Sequence, residues 1–172
     1  MNRKERRIAT ACARGLSSDA NLKFIGELCS KGISRVPSAR EMELSRAAAS
    51  HWLGARWYHG GIAGREPGNF LLPPNQTGQD PRGHGNDVHF RKDFVYITPR
   101  RGVARHFSQV CGGSLYLIEP QGEVLAAIQG LRRCLILYEQ NKKRGKVRSF
   151  EAIIRSVSDF TCASARVLEV LE

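Results

Sequence analysis

Between residues 64 and 87 the chain sets down Pro67-Gly68, Pro73-Pro74, Gly78, Pro81, Gly83 and Gly85. Proline removes a backbone donor and fixes φ, and glycine weakens helix and strand alike, so neither a long helix nor a central strand crosses this stretch. It reads as a long surface loop around a short Phe70-Leu71-Leu72 segment, of a length that compact domains use as a functional lid or leave disordered. Regular structure must come from the segments on its two sides.

Before the loop, the aromatic run Trp57-Tyr58-His59 meets Gly60-Gly61 and predicts a strand delivering its end to a tight turn. After it, Phe94-Val95-Tyr96-Ile97-Thr98 predicts a second strand, and beyond Pro99 a helix runs from about Arg101 to Val110. Ser114 to Pro120 predicts a strand closed by Gly122, residues 124 to 138 mix strand and helix signals, Lys142 to Lys146 is a charged turn, and Ala165 to Leu171 a final strand.

Residues 1 to 56 have another texture, with 11 basic side chains against five acidic ones, net +6. Asp19 is placed to cap a helix carrying Leu22, Ile25 and Leu28 and ended by Gly32; a second helix runs from Ser38 to about Leu53, after Pro37 has broken the first. The division expected is a basic helical extension over 1–56 and a main domain over 57–172. At 172 residues and 41% hydrophobic, the chain buries one sizeable core. It contains no apolar run of membrane-spanning length, and Met1 to Arg7 has no apolar core for a secretion signal, so a soluble cytoplasmic protein without a membrane partner is expected. The five scattered cysteines lack CxxC spacing and support neither a disulfide framework nor a zinc knuckle. A net charge of +11 attracts polyanions or acidic surfaces, nucleic acid among them.

Several chemistries fall away. Gly60-Gly61-Ile62-Ala63-Gly64 lacks the spacing of a dinucleotide-binding glycine turn and no βαβ unit surrounds it. No P-loop and no nucleophile elbow is present. His84, Asp87 and His89 lie close in sequence, but no helix sets both rings on one face, so no metal site is assigned.

Three segments, Trp57-Tyr58-His59-Gly60-Gly61, Val95-Tyr96-Ile97-Thr98 before a helix, and Leu115-Tyr116-Leu117-Ile118-Glu119-Pro120-Gln121-Gly122, occur in an order that resembles the small bacterial ADP-ribosyltransferases related to the rifampin-modifying enzymes. The closing segment Phe160-Thr161-Cys162 with Ala165 to Leu168 is similar as well, and the resemblance covers about residues 57 to 172. It implies an α+β fold with split, mainly antiparallel sheets around an NAD cleft. His59 is then the residue that hydrogen-bonds the adenosine-side ribose, Gly60 lets the backbone approach the dinucleotide, and Tyr96 stacks on the nicotinamide. Thr98 and Arg105 are expected along the pyrophosphate side.

In the rifampin-type relatives an aspartate follows the Glu-Pro-x-Gly segment, whereas here the chain reads Glu123-Val124-Leu125-Ala126-Ala127-Ile128. A carboxylate matters because transfer passes through a cationic ribose that negative charge stabilises. Glu123 is the provisional catalytic acid, with Glu139 and Glu151 as alternatives. The expected function is mono-ADP-ribosyl transfer from NAD to an acidic macromolecule, DNA, RNA or protein. The alternatives are a catalytically inactive binding module, a rifampin-like small-molecule transferase, and an NAD glycohydrolase.

Overall fold

In the computed structural model, which describes residues 37–78, 92–146 and 149–172, helices and antiparallel sheets together give an α+β fold. The elements in chain order are α1 (Ala39–Ser50), β1 (Trp57–Gly61), β2 (Phe70–Leu71), α2 (Pro74–Thr77), β3 (Val95–Ile97), α3 (Arg101–Val110), β4 (Ser114–Gln121), β5 (Leu125–Ala126), α4 (Ile128–Lys143), α5 (Phe150–Ser156), β6 (Phe160–Cys162) and β7 (Ser164–Val170). The helix expected around Leu22 to Leu28 and the His84, Asp87 and His89 cluster lie outside the described residues. No helix among the described residues is long and apolar enough to cross a membrane.

Two compact units divide the chain: a helical one, Met1–Leu53 with Ala126–Val157, and a sheet one, Gly54–Leu125 with Ser158–Glu172. The first break falls near the expected boundary at 56/57. Residues 126–157, read from sequence as part of the main domain, cluster instead with α1.

In the helical unit, α1 begins at Ser38 because two backbone donors are satisfied there reciprocally. The Ser38 hydroxyl accepts from the Glu41 N–H at 3.3 Å, and the Glu41 carboxylate accepts from the Ser38 N–H at 2.7 Å. Leu44, Leu131, Leu135 and Ile154 are fully buried and form the apolar centre, each worth about 1.5–3 kcal/mol by removal from water. The carboxylate that completes the cap also pairs with the buried guanidinium of Arg132 on α4, and the Ser45 hydroxyl donates to the Ala126 carbonyl at 2.8 Å.

In the sheet unit, four strands lie in the order β1-β4-β7-β2 and three in the order β3-β6-β5. The pairings of β1 with β4, β4 with β7, β2 with β7 and β3 with β6 are antiparallel. Alternation along β1 puts Trp57 and His59 on one face, opposite Ile118 and Tyr116 of β4. On that face the Trp57 ring meets Phe160 of β6 edge-on, with centroids 5.1 Å apart. Tyr58 and Thr98 exchange backbone hydrogen bonds of 2.8 and 3.0 Å, fastening β1 to the end of β3.

The tight turn expected at Gly60-Gly61 is not formed. Both glycines continue β1, because what the position demands is space. A Cβ on Gly60 would stand 1.8 Å from the Ala104 carbonyl oxygen and 2.6 Å from the Ser108 nitrogen, so helix α3 rests directly on the strand backbone.

Candidate functional site around His59

Helix α3 takes the Gly60 face of β1 and leaves His59 on the other, against the second sheet. There His59 Nδ1 lies 2.8 Å from the Tyr96 carbonyl oxygen of β3. A carbonyl only accepts, so Nδ1 carries the proton and Nε2 presents a lone pair. Burial pushes the imidazole below its ordinary value, outweighing the opposite effect of the Tyr96 carbonyl, and the ring is therefore neutral at pH 7. His59 keeps some surface in solvent although protein encloses the ring closely.

Room for that ring comes from Gly61, where a Cβ would sit 2.4 Å from Nε2. On the other side the ring stacks at 6.4 Å on Tyr116, its cross-strand partner. Tyr116 is itself fixed: its hydroxyl donates to the Ile62 carbonyl at 2.6 Å and accepts from the Arg65 N–H at 3.4 Å, which holds the chain leaving β1. The imidazole is thus oriented by a carbonyl, a ring face and the absence of a methyl group. What it offers chemically is one hydrogen-bond acceptor, suited to a hydroxyl or N–H of a ligand.

The other expected site residues fall as follows. Tyr96 is half-buried on β3, between buried Val95 and Ile97, and meets His59 through its main chain. Thr98 is buried, and its hydroxyl accepts from the Arg100 N–H at 3.1 Å at the entry to α3. Arg105 is exposed and grips the Glu172 carboxylate, with Nε 2.7 Å from Oε2, while Arg101 reaches the same group at 3.0 Å. The Glu172 pairing raises the Arg105 pKa; the Glu172 carboxyl is lowered, the Arg105 hydrogen bond being the largest cause, against an opposing desolvation. Gly60 gives α3 the space to lie on β1.

Among the candidate carboxylates, Glu123 is exposed and follows Gly122, whose φ of 81° turns the chain out of β4. Tyr116 marks the level of His59 on β4, and Gln121 lies five residues on, about 17 Å along a strand at 3.3–3.4 Å per residue. Glu139 on α4 and Glu151 on α5 belong to the helical unit, where Glu151 pairs with Arg155. The structure brings together His59 and the Tyr96 main chain and adds Tyr116; Gly61, expected with Gly60 to form a turn and to admit the dinucleotide, makes room for the His59 ring. The signal for Tyr116 was its position in the third resemblance segment; for Gly61 only the two-residue alternation with His59 pointed there.

No group of three or more His, Cys, Asp or Glu side chains among the described residues is arranged to hold a metal ion. Comparison with protein-family models, with curated proteins and with solved structures gave no match.

Proposed function

We propose that the chain is a mono-ADP-ribosyltransferase that binds NAD at the His59 face of β1 and transfers ADP-ribose to a macromolecular acceptor. The observation that carries this reading is the oriented neutral imidazole, Nδ1–H on the Tyr96 carbonyl and Nε2 open to accept, at the junction of β1 with the second sheet. A ribose hydroxyl is a donor of the required kind, and a fixed acceptor positions the sugar without loss of side-chain freedom on binding. Tyr96 is assigned to the nicotinamide ring. Glu123 is assigned, provisionally, to the cationic ribose, which places the carboxylate on the turn after β4. Cleavage breaks the bond between ribose C1′ and the nicotinamide nitrogen; nicotinamide leaves with the bonding electron pair, and an acceptor nucleophile bonds to C1′ and gives up its proton.

A second reading, a binding module without transfer, is favoured by three placements: Glu123 is exposed beyond β4, the Thr98 hydroxyl serves Arg100, and Arg105 serves Glu172. One experiment separates the two. Incubation with NAD labelled on the adenylate, with DNA, RNA or cell lysate as acceptor, is expected to release nicotinamide and label macromolecules, and His59→Ala is expected to abolish both. Absence of nicotinamide release under every condition would leave the binding module, and release without label would indicate hydrolysis.

A further inference from the structure

The surplus positive charge of this chain lies wholly in one unit. By sequence, the sheet unit holds nine Lys and Arg against nine Asp and Glu, net zero, whereas the helical unit holds 18 against seven, which is the entire +11. Within the described part of the helical unit the acids are largely consumed by their own neighbours: Glu41 by Arg132, Glu43 by Arg40 and Glu151 by Arg155. Among the described residues, four of the remaining cations stand together. Lys142, Lys143, Arg144 and Lys146 are all exposed, within five residues, and none forms an ion pair with a described residue.

The helix dipole accounts for part of this, because cations in the last turn of α4 meet unsatisfied carbonyls. It accounts for Lys142 and Lys143. Arg144 caps the helix, and Lys146 lies beyond Gly145, whose φ of 69° turns the chain, so neither lies within the helix. Four like charges on one turn repel one another, and a surface that retains them is relieved by a partner bearing closely spaced negative charge.

We propose that the carboxyl end of α4, Lys142 to Lys146, is a docking surface for the phosphate backbone of nucleic acid. The contacts are sequence-independent, because long flexible cations address phosphates and the patch contains no aromatic residue to stack on a base. The inference stands apart from the NAD reading, since it concerns the other unit and its test contains no NAD.

The test is fluorescence anisotropy of a labelled 20-base-pair duplex of arbitrary sequence with the full chain, titrated from 50 to 300 mM salt. Four phosphate contacts give a slope of log affinity against log salt of about −3.6. The variant with Lys142, Lys143, Arg144 and Lys146 all changed to Gln is expected to bind at least tenfold more weakly at 0.1 M salt and to flatten the slope by about 3 to 4, with its helical circular dichroism unchanged. Arg56→Gln with Arg65→Gln, in the sheet unit, is expected to bind as the parent does. Should the fourfold variant fold poorly, Lys142→Gln with Lys143→Gln is expected to remove half of the slope change. Unaltered duplex binding in a folded patch variant overturns the proposal, as does equal affinity of the parent chain for polyglutamate, which would mark an acidic protein as the partner.

Discussion

The helical unit keeps a full ion pair inside, Glu41 with Arg132, and among its described residues exposes Lys142, Lys143, Arg144 and Lys146; the sheet unit balances its charges and keeps a neutral imidazole inside, on a backbone carbonyl. Both solutions obey the same rule, that a buried polar group must be satisfied, and they differ in what is left over. In the ion pair little is left: Glu41 accepts from Arg132 and from Ser38 N–H and hydroxyl. At His59 the Nε2 lone pair has no hydrogen-bond partner among the described residues. The first arrangement uses its polar groups within the fold, and the second leaves one acceptor that no described residue uses. The two tryptophans fall one in each unit, Trp52 in the helical and Trp57 in the sheet unit, so a Trp52→Phe chain reports by fluorescence on the sheet unit alone.

The largest expected effect is on the buried pair. Glu41→Ala strands a buried guanidinium and removes the α1 cap, and is expected to cost the helical unit about 3–5 kcal/mol, read as a lowered midpoint of helical circular dichroism in urea. If the double variant Glu41→Leu with Arg132→Met recovers most of that loss, the cost belongs to the orphaned charge. If it recovers nothing, the pair is not the organising contact of α1 and α4.

A smaller pair of effects sharpens the contrast inside the sheet unit. Gly60→Ala drives a methyl into the backbone of α3 and is expected to destabilise by about 1–3 kcal/mol, seen as an earlier Trp57 transition, with NAD binding falling only as the folded fraction falls. Gly61→Ala meets the His59 ring, a side chain able to rotate away. Displacing the ring from the Tyr96 carbonyl is expected to cost about 0.5–1.5 kcal/mol, less than Gly60→Ala, and to weaken NAD binding about tenfold, some 1.4 kcal/mol, beyond the loss of folded fraction. The reverse pattern would show that the neighbouring glycines have exchanged roles and that the imidazole orientation is not what the ligand reads.

Much of this frame was legible in the sequence, and the reasons are local. Ser38 followed by Glu41 states its cap in four residues; β3, α3, β4 and β7 each announce themselves by pattern and fall within a residue or two of expectation. What was illegible depends on partners far along the chain. Glycines at 60 and 61 carry the signal of a turn, yet one is required by a helix more than 40 residues later and the other by the ring two residues earlier. Nothing in the local sequence shows that the Arg105 side chain pairs with Glu172 or that the Thr98 hydroxyl accepts from the Arg100 N–H. The Arg132 partner of Glu41 lies 91 positions away, and no spacing rule connects them. Residues 124 to 138 looked mixed because a two-residue strand and a 16-residue helix follow each other with one residue between.

The smallest expected effect concerns pH, and it differs between the units in sign-determined windows. His59 has a folded value below its ordinary 6.5, chiefly through burial, so between those two values the unfolded chain binds more protons than the folded one. Its stabilisation is present above about 6.5 and is lost as pH falls toward the folded value. Glu41 is also depressed below 4.5: burial raises it, and the hydrogen bonds from Arg132 and Ser38 together outweigh that. Its contribution persists to lower pH and disappears only as pH drops below about 4.5 through its folded value. His51 in the helical unit is lowered as well, by burial and then by the charge of Arg155 against the opposing Glu151, so the comparison is made in a His51→Gln background. In that background the Trp57 transition is expected to weaken as pH falls below 6.5, while helical circular dichroism holds to about pH 4.5. Nitrogen chemical shifts should show His59 neutral at pH 7, with its proton on Nδ1, and titrating below 6.5. A His59 that titrates near 6.5, or that carries its proton on Nε2, would sever the imidazole from the Tyr96 carbonyl and with it the acceptor on which the NAD reading rests.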